Sequence, residues 1–253
     1  GQARGWACGL SPRELGVQPP HSAAMAAMVA IRNSAARGAP SLIQACGDMT
    51  SPIAVAHMIP GLNIRDGGPS RSVVRLTDTL ACDGGLSISL VSHSILGTPS
   101  IPSSNKRVRR KAVPVKDSLW LGLGLVDRRL LVEEMASNRF DLLHTHCLWH
   151  PANYWAMRLA RSGGIPVVCQ PRGMLEPWAR NHKAWKKSLA LLLYQAKDLR
   201  SARAFVATSG MEVESIRRLG LPQPIALIPN GVDLPSHEIR RHPERDPQDR
   251  DRV

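Results

Sequence analysis

The sequence predicts an α/β protein with a Rossmann-like parallel sheet and helices on both faces of that sheet. Two observations support this fold class. Short segments rich in Val, Ile and Leu alternate with longer amphipathic segments between residues 53 and 230, and polar positions rarely interrupt the short segments. Strands of this kind are typical of parallel sheets buried on both faces. Their alternation with helices is typical of right-handed strand–helix–strand units.

Six strands are predicted from the short apolar segments. Their ranges are 53–59, 86–92, 140–146, 165–171, 203–209 and 224–230. Sheets of this type bind ligands at the carboxyl ends of their strands. The loops that follow the strands are therefore where functional residues are expected.

Five helices are predicted from apolar residues at helical spacing. Their ranges are 67–81, 118–136, 152–164, 183–202 and 210–220. Pro69 suits the first turn of the first helix, because the N–H that proline lacks is not needed there. Gly122 and Gly124 weaken the second helix. Residues 97–117 are predicted to form a loop, since Pro, Ser, Lys and Arg dominate them.

The two ends of the chain do not follow the alternating pattern. Residues 1–48 are rich in Ala, Gly, Pro and Arg without a sustained period. We expect a disordered leader or read-through upstream sequence there, with a genuine N-terminal extension as the alternative. Residues 49–234 form the expected domain. Residues 235–253 are charged and almost free of apolar side chains, so a disordered tail is expected.

The composition indicates where in the cell the protein is located. Hydrophobic residues make up 43% of the 253 positions, but no apolar run approaches the roughly 20 residues that a membrane-spanning helix needs. No N-terminal segment has the form of a secretion signal. The five cysteines include no C-x-x-C pair. These features predict a protein of the reducing cytoplasm.

The net charge of +13 predicts anionic partners. The basic cluster at 106–111 contains no interleaved aromatic residue, so nucleic acid is not an expected partner. Lys183, Lys186 and Lys187 lie beside Trp185 in a predicted helix. Such a helix could rest on the inner face of an anionic membrane, or it could be a core helix with solvated lysines.

Two loops after predicted strands carry candidate binding residues. Gly67 and Gly68 follow the first strand. Glycine lets a backbone approach a ligand closely, and the N–H groups at a helix start attract phosphate, although a plain turn is the alternative. Arg172 follows the strand at 165–171. Its guanidinium could bind a phosphate or carboxylate with two N–H groups, or it could pair with Glu176 in a structural loop.

His144 and His146 end the strand predicted at 140–146. Alternate residues of a strand lie on the same face. Three interpretations remain open: metal ligands, histidines without a functional role, and substrate-contacting or catalytic histidines. The position at the edge of a parallel sheet favours the third interpretation, and the lack of a carboxylate in the next few residues disfavours the first.

Six motifs follow one another between Ile53 and Asp233. They are a Gly-Gly-Pro-Ser loop at 67–70, DLLHTHCLW at 141–149, PRGMLEPWA at 171–179, a lysine-bearing helix, a Thr-Ser strand end at 208–209 and ALIPNGVD at 226–233. In this order they resemble the N-terminal domain of family 4 (group 1) glycosyltransferases. Each motif is modest, but their order makes the resemblance specific.

The resemblance implies the N-terminal half of a GT-B enzyme. Such enzymes transfer a sugar from a nucleotide-sugar donor to a glycan or lipid-linked acceptor, here in polysaccharide or glycolipid synthesis. It implies no cofactor and no metal, because the nucleotide sugar is a co-substrate. By the same resemblance Gly67 and Gly68 approach the donor diphosphate or the acceptor, Arg172 binds substrate, and His146 is the catalytic residue that contacts the transferred sugar. His144 supports the strand end.

The sequence departs from the family after Asn230 and Gly231, which by resemblance mark a hinge. Family members continue there with a second domain that carries most of the nucleotide-sugar site and an E-x7-E pair. No E-x7-E lies in a suitable context here, so we expect a truncated enzyme that is inactive alone. One alternative is a non-catalytic binding remnant. The other is a hydrolase or deacetylase with a metal on His144 and His146.

Overall fold

The computed structural model describes residues 52–94, 99–116, 125–126, 128–181, 185 and 194–231. The predicted leader at 1–48 and the predicted tail at 235–253 lie outside these residues. Within them, the strands are β1 Ile53–Gly61, β2 Leu86–Ser94, β3 Arg109–Lys116, β4 Leu125–Val126, β5 Leu142–His146, β6 Val167–Gln170, β7 Ala204–Ala207 and β8 Ile225–Leu227.

The eight strands form one sheet in the order β4-β3-β2-β1-β5-β6-β7-β8. Every neighbouring pair is parallel except β3 and the two-residue β4, which are antiparallel. The six predicted strands are all present, and the predicted Rossmann-like parallel sheet is confirmed. The strand order reverses direction on either side of β1, which places the carboxyl ends of β1 and β5 at a topological switch point.

Helices connect the strands except from β2 to β4, where the described residues contain none. They are α1 Gly68–Leu80, α2 Arg128–Ser137, α3 Pro151–Ser162, α4 Pro177–Asn181, α5 Ala196–Ser201 and α6 Gly210–Arg218. A short 3₁₀ turn, Ile64–Asp66, precedes α1. Pro69 lies in the first turn of α1, as predicted.

The alternating direction of side chains along β1 shows which face of the sheet each helix covers. Val55 of β1 packs in one core cluster with Val73 of α1. Its neighbour Ala56 packs in a second cluster with Leu131 of α2 and Ala156 of α3. Because successive strand residues point to opposite faces, α1 covers one face of the sheet, and α2 and α3 cover the other.

The prediction of a loop over 97–117 is wrong for residues 109–116, which form β3. β3 pairs with β2 in parallel, and its Val113 is completely buried. Arg109 and Lys111 lie within 2.8 Å and 3.8 Å of the carboxylate of Glu134 on α2. A basic strand was therefore mistaken for a loop, because the acid that pairs with its charges is distant in sequence.

Two predicted helices are only partly described. Of the helix predicted over 118–136, residues 125–126 form β4 instead, α2 begins at Arg128, and residues 118–124 lie outside the described residues. Of the helix predicted over 183–202, Trp185 is helical and α5 covers the end, while most of the rest is not described. Among the described residues there is no helix with the length and apolarity to cross a membrane.

Candidate functional site

The candidate residues gather at the carboxyl edge of the central strands. Gly67 and Gly68 join β1 to α1, His146 ends β5, and Arg172 follows β6. The parallel register adds two residues that the sequence did not single out. His57 of β1 lies opposite His144 of β5, and Gln170 of β6 lies opposite His146.

His57, His144 and His146 form a buried histidine cluster on the face of the sheet that α1 covers. Their exposed fractions are 0%, 2% and 0%. The ring centroids of His57 and His146 lie 5.3 Å apart with parallel planes, and those of His144 and His146 lie 4.2 Å apart. In the sequence, His57 stands out only as a polar residue within the apolar segment 53–59.

A chain of hydrogen bonds fixes the tautomer of His146. Arg172 can only donate, so Gln170 presents its oxygen to Nη2 of Arg172 at 3.1 Å. The same oxygen lies 2.9 Å from Nδ1 of His146, which must then carry the hydrogen. The Nε of Arg172 is farther from that nitrogen, at 3.4 Å. Nε2 of His146 therefore holds a lone pair and accepts from Nδ1 of His57 at 3.0 Å.

Burial keeps the histidine cluster uncharged. It lowers the pKa of His57 to about 3, and the charge of Arg172 acts in the same direction. Burial likewise lowers the pKa of His144 and of His146 well below the usual value, with contributions from the neighbouring histidines and Arg172. The hydrogen bond to Gln170 opposes this shift for His146. At neutral pH all three rings are neutral.

Arg172 connects the histidine cluster to two other elements. Its Nη1 donates to Oγ of Ser72 on α1 at 2.7 Å and to the side-chain oxygen of Asn230 at 3.2 Å. The side chain is partly exposed. Burial lowers the pKa of Arg172, yet guanidinium remains charged in proteins. One fixed positive charge thus lies at the sheet edge, above the buried His146.

Glu212 of α6 holds the loop that carries Arg172, and no sequence motif pointed to this role. One carboxylate oxygen accepts from the backbone N–H of Gly173 at 2.6 Å. The other accepts from the N–H and hydroxyl of Thr208 at 2.7 Å and 2.9 Å. Glu176, the alternative partner predicted for Arg172, instead accepts from Nε1 of Trp178 at 2.7 Å.

Gly67 and Gly68 present open backbone at the start of α1. Gly67 has a φ of 86°, which L-residues with side chains rarely adopt. No atom lies within 4 Å of the position that a Cβ would take at either glycine. Space for a ligand therefore exists beside the first turn of α1, where unpaired N–H groups favour an anion. The geometry permits the predicted binding role of these glycines without demonstrating it.

A second histidine pair, His93 and His150, lies near the carboxyl end of β2. The ring centroids are 4.3 Å apart. His150 also caps α3 by accepting from the N–H of Ala152 at 3.3 Å. Burial lowers the pKa of His93 to about 3, with a contribution from His150, and lowers that of His150 to about 4.

A doubly covered parallel sheet with a glycine turn and a fixed cation at its switch point defines a Rossmann-like α/β domain. The chain belongs to the family of glycosyl transferase 4-like domains, whose family model matches residues 67–231. This match confirms the resemblance to the N-terminal domain of family 4 glycosyltransferases. No curated protein matches the sequence significantly.

The chain is similar to several solved structures, of which that of Anabaena HepE supports the fold. The structure of Anabaena HepE, in complex with UDP and glucose, is 13% identical with a TM-score of 0.50, covering 72% of this chain and 45% of that one. Acinetobacter baumannii MurG is 12% identical with a TM-score of 0.41, covering 63% and 42%. A Listeria monocytogenes protein, described as a UDP-N-acetylglucosamine 2-epimerase, is 10% identical with a TM-score of 0.45, covering 70% and 45%. The chain thus spans less than half the length of each.

The geometry of the site disfavours one of the two alternative functions, a metal hydrolase or deacetylase, and agrees with the other, a binding domain without catalysis. A catalytic zinc site keeps one position open for water or substrate, and the complete burial of His57 and His146 disfavours a hydrolase or deacetylase centred there. A binding domain without catalysis remains compatible with the fold. The roles assigned to His146, Arg172, Gly67 and Gly68 stay predictions.

Proposed function

We propose that this domain is the acceptor-side part of a glycosyltransferase that moves a sugar from a nucleotide-sugar donor to a glycan or lipid-linked acceptor. Polysaccharide or glycolipid synthesis is the proposed setting, in the cytoplasm or at the inner face of the membrane. The observation that carries the proposal is Arg172, a fixed cation that joins the first turns of α1 to Asn230 at the switch point of the sheet. The family membership supports the same class of reaction.

The proposed chemistry rests on charge stabilisation of the departing nucleoside diphosphate. Arg172 and the N–H groups at Gly67 and Gly68 supply positive potential on one wall of the site. Fixed donors and dipoles of this kind stabilise the charge that develops on a leaving group. No cofactor is needed, because the diphosphate leaves with the bonding electrons.

His146 has a less direct path to substrate than the sequence suggested. Its ring is fully buried beneath Arg172 and Gln170. A direct contact with the transferred sugar requires its surroundings to open. In the closed arrangement His146 acts on substrate through Gln170 and Arg172, whose positions it helps to fix.

The test is to map donor binding on the chain by NMR. A panel of uridine and guanosine diphosphate sugars is titrated into ¹⁵N-labelled protein. At least one donor should shift the amide signals of Gly67, Gly68 and Gly173, and the shifts should vanish in Arg172→Ala. Arg203→Ala is the matched control, because exposed Arg203 precedes β7 at the opposite edge of the sheet. Shifts that are absent for every donor, or that persist in Arg172→Ala, would contradict the proposal.

A further inference from the structure

The buried histidine cluster contains ring nitrogens without a hydrogen-bond partner among the described residues. Both nitrogens of His144 and Nε2 of His57 are buried without a hydrogen-bond partner. Buried polar atoms are paired in the great majority of cases, and an exception calls for a water, an ion or a functional role. Three such atoms in one cluster indicate that something besides protein binds there.

Counting donors and acceptors shows what kind of occupant fits. Three neutral imidazoles carry three N–H groups and three lone pairs. One N–H, that of His146 Nδ1, is used outward on Gln170. Two N–H groups and three lone pairs therefore remain inside the cluster, and the only hydrogen bond among the rings joins His57 to His146. One N–H group and two lone pairs are left after that bond. A water molecule satisfies this set, and so does a metal ion that replaces the bond between His57 and His146, so the spacing of the nitrogens decides between them.

The spacing of the nitrogens suits a single ion. One ligand nitrogen from each of His57, His144 and His146 lies within 4.8 Å of the others. Nitrogens bound to one zinc ion at about 2.0–2.1 Å in tetrahedral geometry lie roughly 3.3 Å apart. Nδ1 of His57 and Nε2 of His146 lie 3.0 Å apart, close to that value. Zinc would replace the hydrogen bond between them, with the hydrogen of His57 moved to its Nε2. The His144 ring would have to rotate to bring the third nitrogen to the same spacing.

We propose that His57, His144 and His146 supply three ligands to a buried Zn²⁺ ion inside the sheet, with a water molecule as the fourth. Imidazole is a preferred ligand of zinc, and a cluster without carboxylate or thiolate does not favour Ca²⁺ or Mg²⁺. The ion binds on the side of His146 that faces away from Arg172. The outward hydrogen bond from His146 Nδ1 to Gln170 is the support that zinc-bound histidines usually have. The site ties β1 to β5 and rests on the described histidines alone.

The experiment measures zinc on the intact chain. The protein is stripped with a chelator, reloaded with ZnCl₂, dialysed, and analysed by inductively coupled plasma mass spectrometry. One zinc per chain is expected, together with a higher thermal unfolding midpoint, since an ion that binds only the folded state stabilises it. His57→Gln and His144→Gln should each lower zinc retention at least tenfold.

The matched control is His93→Gln, which alters a buried histidine pair on the other face of the sheet and should keep the zinc. Cobalt substitution gives a readout that does not depend on the variants folding: Co²⁺ bound by the unaltered chain should show the visible absorption of a tetrahedral histidine site. Sub-stoichiometric zinc would overturn the proposal and leave a buried water as the occupant. If His57→Gln and His144→Gln retain as much zinc as the unaltered chain, the metal lies on other histidines and the proposal is equally overturned.

Discussion

At the scale of single residues, the site depends on how Arg172 is held. Its backbone is in the left-handed region, with a φ of 55°. Such a conformation is unfavourable for a residue with a side chain and persists where surrounding contacts enforce it. The hydrogen bond from Gly173 to Glu212 supplies one such contact directly after Arg172. A carboxylate on α6 therefore positions a cation on a loop that follows β6.

Glu212→Gln should destabilise the domain. The buried carboxylate accepts three hydrogen bonds, and an amide would turn its NH₂ group toward a donor. Leaving a buried donor unsatisfied costs about 1–3 kcal/mol. Urea denaturation followed by circular dichroism should show a loss of this size.

The control is Glu214→Gln on the same helix, an exposed i,i+4 partner of Arg218, which should change stability by less than about 0.5 kcal/mol. Equal losses in the two variants would refute the positioning role of Glu212.

His57 and Glu212 show why sequence reasoning found only part of the site. Arg172, His146, Gly67 and Gly68 lie in local motifs directly after strands, and local pattern was sufficient to single them out. The position of His57 opposite His144 depends on the register between β1 and β5, and the contact of Glu212 with Gly173 depends on the approach of α6 to the loop after β6. These are contacts between segments distant in sequence, which no local pattern reports.

At the scale of elements, the turn from β1 into α1 is the most constrained connection of the site. Asp66 accepts from the N–H of Asn63 at 2.8 Å and closes the 3₁₀ turn. Ser70 then donates to the carbonyl of Gly61 at 2.8 Å, which fixes the first turn of α1 to the end of β1. Between them Gly67 takes a conformation with φ 86° and ψ −157° that is essentially restricted to glycine.

The two glycines of this turn should therefore respond differently to alanine. Gly67→Ala forces a Cβ into the glycine-only region and should cost about 1–3 kcal/mol of unfolding free energy. Gly68→Ala meets no atom within 4 Å and lies in the first turn of α1. It should be neutral or stabilising by up to about 1 kcal/mol. Thermal and urea unfolding of both variants provide the measurement, and equal destabilisation would show that the turn is not restricted by its backbone.

The histidine pair between β2 and α3 should make stability depend on pH. The pKa of His93 is about 3 in the folded protein against a usual 6.5. Between these values the unfolded chain binds a proton that the folded chain does not. The contribution of neutral His93 to the free energy of unfolding is thus fully present above pH 6.5 and is lost as the pH falls toward 3. One such proton gives a slope of about 1.4 kcal/mol per pH unit.

His93→Gln tests this dependence. Urea unfolding of the unaltered chain and of the variant is compared at intervals from pH 7.5 down to pH 4. Above pH 7 the difference between the two proteins should be constant, because His93 is then neutral in both states. Below pH 6.5 the variant should lose stability less steeply. Parallel curves across the whole range would mean that His93 titrates normally in the folded protein.

At the scale of the whole molecule, the alternation of apolar and amphipathic segments predicted the parallel sheet correctly. Two strands were missed, β3 and the two-residue β4. β3 is the most basic of the described strands, and its burial depends on Glu134 and on pairing with β2. Under the proposed function the sheet forms one wall of a binding site. Leu227 of the last strand is 55% exposed.

The chain alone should bind nucleotide sugars weakly and should not turn them over. In the GT-B arrangement that the family membership implies, the donor lies between two domains, and catalysis requires groups from both at once. The described residues offer the Gly67 and Gly68 turn, Arg172 and the buried His146 from one wall, and the chain spans 45% of the length of HepE. Isothermal titration with uridine and guanosine diphosphate sugars, paired with a donor-hydrolysis assay, measures both properties. The control is Arg172→Ala, which should abolish whatever weak heat of binding the unaltered chain shows. A low-micromolar dissociation constant, or hydrolysis proportional to protein concentration, would contradict the prediction. Either result would show that this domain alone is sufficient for donor binding or turnover.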